Sequence, residues 1–258
     1  MTTLSRKLSY LSIMRNLLIL SFIGFGMACN SPKPKEYDPQ ILVDRAISAH
    51  GANLSGKKIS FDFRDRRYTL KRDKDGYSYM RAWQDDSLGF IQDILVNSQD
   101  FVRFQDGDSV TLDEEWTGKY ANSVNSVFYF FQIPYVLNDR GAIKKFVGEF
   151  DIKGESYLGV QVTFSEEGGG EDFEDVFVYW IHKEFSTVDF FAYSYITDGG
   201  GVRFREAINR RKAGGLLIQD YINYKSEKNT PLNALPDLLN QGKLEELSRI
   251  ENTKVKVF

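Results

Sequence analysis

Cys29 is the residue whose chemistry is easiest to read, because it is the only cysteine among the 258 residues. It directly follows a mostly apolar run at 17–28, and the basic residues Arg6, Lys7 and Arg15 precede that run. Basic residues, a short apolar run and then small residues are the order of a secretory signal peptide. A membrane-spanning helix needs about 20 apolar residues, so the run is too short to be one. The pattern predicts a signal segment over residues 1–28 and a thiol on the first residue of the mature chain.

The residues around this cysteine, Gly26-Met27-Ala28-Cys29, resemble the lipobox of bacterial lipoproteins, whose cysteine is acylated. One acyl chain gives marginal membrane binding and two or more anchor a protein stably; lipoproteins of this kind carry three. The resemblance implies that membrane lipid is a partner of the chain through acylated Cys29. Residues 29–38 include Pro32 and Pro34 and are expected to form a lipidated tether that keeps the domain close to the bilayer.

The two histidines of the chain stand in no metal-binding pattern. His50 lies near the end of a predicted helix that Gly51 closes, where the helix dipole favours a partly exposed histidine. His182 ends a predicted strand, and the sequence has no HxxxH or HxH spacing. It also has no GxSxG and no GxGxxG. We therefore expect no metal, no cofactor and no catalysis, and an enzyme with an unrecognised site is left as an alternative.

Arg203 and Arg205 are the strongest candidates for binding a ligand. They alternate with apolar residues, so both side chains point to one face of a predicted strand. Tyr193 lies on the preceding strand and Asp220 on the following one. One interpretation is a structural ion pair of either arginine with Asp189 or Asp220 across the sheet. The other places the arginines at the rim of a hollow, with Tyr193 and Asp220 in support, where they bind a lipid headgroup or a carboxylate.

An aromatic helix is predicted just before Pro134. Its apolar residues recur at steps of 4, 3, 1 and 3, which is one helical face: Tyr120, Val124, Val127, Phe128 and Phe131. Tyr129 and Phe130 widen this stripe, so the helix must be buried on more than one side. Phe128 and Phe131 are either core residues or the lining of a hydrophobic cavity, if the helix leaves space beside the sheet.

Most of the remaining chain alternates apolar and polar residues in short runs separated by turns rich in Gly and Asp, which predicts antiparallel strands. A first helix is expected to begin at Asp38-Pro39, and the charged run 210–212 is expected to be a surface turn. About ten strands are too many for a flat sheet. The prediction is one α+β domain over 39–258: a large curved antiparallel sheet that forms a half-open barrel of about ten strands, with helices covering its concave face.

Four segments carry a resemblance to an uncharacterised family of flavobacterial lipoproteins. They are GGGEDFEDVFVYWIH at 168–182, AYSY at 192–195, GGGVRFR at 199–205 and QDYINY at 219–224. The architecture is similar to that of the curved-sheet carriers of the LolA type, which hold acyl chains in an open barrel. Surface-exported lipoproteins carry acidic residues after the cysteine, and residues 30–33 lack them. The resemblance thus implies an outer-membrane lipoprotein that faces the periplasm.

Two functions from different classes follow from these expectations. The first is a membrane-anchored protein that binds a lipid or another hydrophobic ligand in the hollow of the sheet. The alternative is a non-catalytic envelope protein whose sheet serves as a structural or interaction scaffold for an unknown protein partner. With 33 basic and 36 acidic side chains, the composition gives no indication of a nucleic-acid-binding surface.

Overall fold

Two antiparallel sheets of seven strands dominate the computed structural model, which describes residues 36–51, 53–139, 141–165, 175–196 and 199–258. Sheet A contains β1 (Lys57–Phe63), β2 (Arg66–Arg72), β3 (Tyr77–Asp85), β4 (Gly89–Val96), β5 (Asp100–Gln105), β6 (Asp108–Val110) and β14 (Asn252–Val257). Its strands follow the order β14-β1-β2-β3-β4-β5-β6. Sheet B contains β7 (Ala142–Ile152), β8 (Glu155–Phe164), β9 (Val176–His182), β10 (Val188–Tyr195), β11 (Gly201–Ala213), β12 (Leu216–Ser226) and β13 (Glu245–Ile250). Its order is β13-β12-β11-β10-β9-β8-β7.

Three α-helices, α1 (Pro39–Ala49), α2 (Glu114–Phe131) and α3 (Leu235–Asn240), accompany the sheets in the described residues. As predicted, α1 begins after Asp38, whose side chain accepts the backbone N–H of Gln40 at 2.8 Å. The side chain of Asp113 caps α2 by accepting the N–H of Trp116 at 2.8 Å. Within the described residues, no helix has both the length and the apolar character needed to cross a membrane.

Sheet A buries one face. Along β4 the buried residues are Ile91, Asp93 and Leu95, and those between them are partly exposed. The buried face lies under α2, whose Val124 and Phe128 are fully buried against it. Buried and partly exposed residues thus alternate with a period of two, as in any half-buried strand.

Sheet B buries both faces. Its inner face, with Tyr179, Phe191 and Tyr221, packs against residues of α1 and α2. Its outer face is covered by α3 and includes Trp180 and Phe204. Strands covered on both sides read as continuous apolar runs, and β9 (VFVYWIH) is such a run.

The α+β class and the antiparallel sheets are confirmed, whereas a half-open barrel of about ten strands is not. The described residues form fourteen strands in two sheets that do not close. β13 and β14 follow each other directly along the chain but belong to different sheets. One helix, α3, covers the outer face of sheet B rather than a shared concave face. Cys29 and the predicted signal segment lie outside the described residues, as does the predicted tether before Glu36.

Candidate functional site

The inner face of sheet B carries a row of side chains on five neighbouring strands, β9 to β13. Directly opposite residues in the ladder are Tyr179, Phe191, Arg205, Asn223 and Ser248. Opposite residues point to the same face and have their Cβ atoms about 5 Å apart. The row therefore changes from aromatic to polar across β11, where Arg205 stands.

Arg205 is a buried cation without a carboxylate. Its side chain is 7% exposed, and within the described residues it forms no ion pair. One terminal nitrogen donates to the hydroxyl of Tyr193 at 3.0 Å, and the guanidinium lies 3.9 Å from the centroid of the Phe130 ring. Its Nε is buried and has no hydrogen-bond partner. A cation–π contact of this kind stabilises a buried arginine only in part, because it supplies no acceptor for the N–H groups.

Asn223, directly opposite Arg205, also has an unpaired polar atom. It is 7% exposed. Its Nδ2 donates to Ser248 Oγ at 3.2 Å, and its Oδ1 is buried without a partner. Two unpaired buried polar atoms on facing residues are uncommon in a folded protein and call for a partner.

The next row on the same face is basic and more exposed. Arg203 stands directly opposite Lys225, and both are partly buried. Arg203 lies 5.3 Å from the ring centroid of Tyr195, and Lys225 forms a salt bridge of 2.9 Å with Glu245. Arg203, Arg205 and Tyr193 are thus brought together on one face, as predicted.

Asp220 and Asp189 do not pair with Arg203 or Arg205, and that prediction was wrong. Asp220 accepts from both terminal nitrogens of Arg211, at 3.0 and 3.2 Å, and from the backbone N–H of Asn252 at 2.9 Å. Asp189 pairs with Arg210. The run 210–212, expected to be a surface turn, is part of β11, and a bulge between Ile208 and Arg211 sets which arginine meets Asp220.

The aromatic residues of α2 divide between the two sheets. Phe128 stacks on Tyr79 at 4.3 Å and Phe131 on Phe61 at 3.9 Å, so both belong to the core of sheet A. The side chains that reach the Arg205 site are instead those of Tyr129 and Phe130. In the sequence, Tyr129 and Phe130 widen the apolar stripe of the helix. This widening was the sequence feature that indicated their role.

Tyr129 and Phe130 form the contact between α2 and the inner face of sheet B. The hydroxyl groups of Tyr129 and Tyr179 lie 2.7 Å apart, and burial raises the pKa of both tyrosines. Phe130 stacks on Phe191 with ring centroids 5.7 Å apart. The contact of α2 with the inner face of sheet B is therefore made by aromatic side chains.

An open depression of about 690 Å³ lies beside the N-terminal half of α2. Among its lining residues are Gly118 and Asn122. With 3.6 residues per turn, these residues lie on the same side of the helix as Tyr129. The depression therefore lies on the side of α2 that also carries Tyr129, and three acidic residues line it as well: Asp113, Glu114 and Glu115.

A second buried charge cluster lies under α2 on sheet A. Asp93 is fully buried and accepts from Arg81 at 2.6 Å and from Arg103 at 2.7 Å. Arg81 also donates to Ser123 of α2 at 2.8 Å, and Arg103 lies 3.6 Å from the Tyr120 ring centroid. This cluster fixes α2 to sheet A.

His50 is fully buried, so its expected partial exposure was wrong. Its Nε2 accepts the backbone N–H of Val188 at 3.1 Å, and its carbonyl accepts from Leu217 and from the Tyr135 hydroxyl. Burial, and then the charge of Arg210, lower the pKa of His50 to about 4. His50 is therefore neutral at pH 7.

His182 is also buried, at the end of β9. Its Nδ1 accepts the backbone N–H groups of Glu184 and Phe185, at 3.1 and 3.2 Å. Within the described part of the chain, no three His, Cys, Asp or Glu side chains are grouped so that they could hold a metal ion.

Comparisons with known proteins concern the family and the fold. Residues 15–252 match a family model described as "Family of unknown function (DUF6503)". No curated protein matches the chain in sequence. A DUF1329 family protein from Desulfovibrio piger is similar in structure, with a TM-score of 0.51 and 10% identity over 85% of this chain and 93% of that one.

A LolA superfamily protein from Nitrosomonas europaea is also similar, with a TM-score of 0.49 and 12% identity over 86% of this chain and 94% of that one. At such low identities the likeness concerns the fold alone.

Proposed function

We propose that this chain, which belongs to the DUF6503 family of unknown function, binds a lipid or another hydrophobic ligand between α2 and sheet B. The proposal includes its location: a lipoprotein anchored in the outer membrane through acylated Cys29 and facing the periplasm. The acyl anchor keeps the binding domain within reach of membrane lipid.

The observation that carries the proposal is the unequal attachment of α2 to the two sheets. On sheet A, α2 is held by buried Val124 and Phe128 and by the Ser123–Arg81 hydrogen bond. On sheet B it is held by the rings of Tyr129 and Phe130 and by the hydrogen bond between the Tyr129 and Tyr179 hydroxyl groups. An apolar chain that enters here replaces contacts between rings with contacts between the rings and the chain, so little apolar surface is exposed to water.

The experiment uses the full acylated chain in native membranes and a neutral long-chain alcohol that carries a photoreactive group in its alkyl chain. After irradiation, mass spectrometry locates the labelled peptides. We expect label on α2 near Tyr129 and Phe130 and on β10 to β12. Label confined to the segment around Cys29, which the membrane itself contacts, would contradict the proposal.

A matched pair of variants makes this test specific. Phe130→Ala removes a ring from the proposed site and is expected to change the labelling of β10 to β12 at least threefold. Phe90→Ala removes a ring that is 42% exposed on the other face of sheet A, and it should leave this labelling unchanged. Equal effects of the two variants would count against the proposed location.

An interaction scaffold is the second candidate, and the outer face of sheet A favours it. Phe90 and Val102 are each 42% exposed there. An open depression of about 650 Å³ on the same sheet is lined by residues that include Phe90, Met80 and Arg67. Exposed apolar groups beside basic ones are typical of interaction surfaces. Photolabel on β3 to β5 rather than on sheet B would favour this function.

A further inference from the structure

We infer that the ligand is an amphiphile with a single carboxylate, and that this carboxylate binds to Arg205. The inference rests on the proposed function, because it names the head of the ligand whose apolar part lies against Tyr129 and Phe130. It adds the chemical class of the ligand and assigns Asn223 to the site.

The charge balance of the site calls for one negative charge. Arg205 is 93% buried, and a buried cation is costly unless an anion pairs with it. The nearby phenols do not supply this anion, because burial keeps them protonated: the pKa of Tyr221 is raised to about 12, and that of Tyr179 lies well above its usual value. A monoanion neutralises the site, whereas a dianionic phosphate monoester leaves a surplus of negative charge.

The hydrogen-bonding groups of the site are donors. The Nε–H of Arg205 is unpaired, and the residues directly opposite Arg205 on the two neighbouring strands, Phe191 and Asn223, are neutral. The amide of Asn223 can turn about its last bond, so that its oxygen accepts from Ser248 and its NH2 group faces Arg205. Both unpaired positions are then donors. A carboxylate accepts at both oxygens and donates nothing, so it satisfies both.

The neighbouring residues orient such a molecule. Arg203 stands one row nearer the exposed end of the face and adds positive potential along the path of an anion, whereas the charge of Lys225 beside it is paired with Glu245. The ring of Phe191, directly opposite Arg205, and the ring of Phe130 on α2 provide apolar contact. An alkyl chain therefore extends toward α2 when its carboxylate lies on Arg205.

The test compares two photoreactive probes of equal chain length, one a carboxylate and one an alcohol, on the full acylated chain. We expect the carboxylate to label β10 to β12 about ten times more strongly than the alcohol. The main variant is Asn223→Asp, which has the same shape and gives Arg205 an internal carboxylate. It should abolish the preference for the carboxylate probe, leave labelling by the alcohol unchanged and raise the melting temperature.

Arg205→Gln is the second variant and should also bring the ratio of the two labels to about one. Arg249→Gln, on the exposed side of β13, is the matched control and should keep the wild-type ratio. If wild type and Asn223→Asp label equally with both probes, the carboxylate inference is overturned while the ligand site stands. If neither probe labels sheet B in any variant, the proposed function fails and the inference falls with it.

Discussion

Sheets A and B each bury an arginine on the face that α2 covers, but within the described residues only sheet A provides it with a carboxylate. Arg81 shares the fully buried Asp93 with Arg103. Arg205 has a tyrosine hydroxyl and an aromatic ring as neighbours, and its Nε has no partner. Within the described residues, a buried arginine under α2 therefore has a carboxylate partner in sheet A, whereas in sheet B the buried arginine keeps an unpaired N–H donor.

This difference separates a structural charge cluster from a binding site. A buried ion pair that is fully hydrogen-bonded holds secondary-structure elements in register. Removing one partner leaves the other as a buried charge without a counterion. A buried cation with an unpaired donor costs free energy in the folded protein, and such a cost is typical of functional sites.

The largest effect is expected for Asp93→Asn, which leaves Arg81 and Arg103 buried next to each other without a counterion. The free energy of unfolding should fall by about 3–5 kcal/mol. Urea denaturation measures it, with Asp86→Asn on the exposed surface as the control, for which about 0.5 kcal/mol or less is expected. A loss below about 1 kcal/mol would show that the cluster is not structural.

A second effect, on the sheet B side, depends on pH. His50 has a folded pKa of about 4 against 6.5 for an ordinary histidine. Between pH 6.5 and pH 4, His50 therefore binds a proton in the unfolded chain but not in the folded chain. The stability that neutral His50 contributes above pH 6.5 is lost as the pH falls toward 4. The loss attributable to His50 is about 3 kcal/mol. Urea denaturation of wild type and His50→Gln at pH 7 and pH 4.5 measures it; an equal pH dependence in both would contradict the burial of a neutral His50.

Ser123→Ala tests the attachment of α2 to sheet A and should cost about 1–2 kcal/mol, because a hydrogen bond to the charged Arg81 is lost. Ser126→Ala on the same helix is the matched control, since among the described residues the Ser126 hydroxyl bonds within the helix alone, to the Asn122 carbonyl. Thermal unfolding compares the two variants. If both lose the same stability, α2 is not fixed to sheet A through Ser123.

The smallest effect on stability is expected for Arg205→Met. No ion pair is broken and a buried cation is removed, so the free energy of unfolding should change by about 1 kcal/mol or less. Arg81→Met should instead lose several times as much, because it breaks the pair with Asp93. An equal loss of unfolding free energy in the two variants would contradict the difference between the arginines of the two sheets.

Much of the fold could be predicted from the sequence because its signals are local. The cap at Asp38, the alternation along β3 and β4 and the aromatic stripe of α2 all act within one element. The division into two sheets was missed because it depends on which distant strands pair. The continuous apolar run of β9, buried on both faces, was the signal that a second layer, α3, covers sheet B.

The site was predicted in part for the same reason. Arg203, Arg205 and Tyr193 share a face because strand alternation fixes it. The sequence could not predict that Asp220 pairs with Arg211 instead of Arg203 or Arg205. The bulge near Asn209, whose φ is +50°, decides which arginine reaches Asp220. Asn223 and Phe130 joined the site only once strand register and helix position were known. The burial of His50 likewise results from a distant contact with Leu217.

The most direct measurement of the central claim is the ionisation of a bound carboxylate, followed by the carboxyl ¹³C resonance of labelled palmitate on the full chain between pH 5 and 8. On wild type, Arg205 should keep the carboxylate ionised, so the resonance stays constant over this range. On Arg205→Met the same apolar surroundings should raise the pKa of the carboxyl, and the resonance should titrate. A wild-type resonance that titrates as it does in Arg205→Met would contradict the assignment of Arg205 as the residue that binds the ligand.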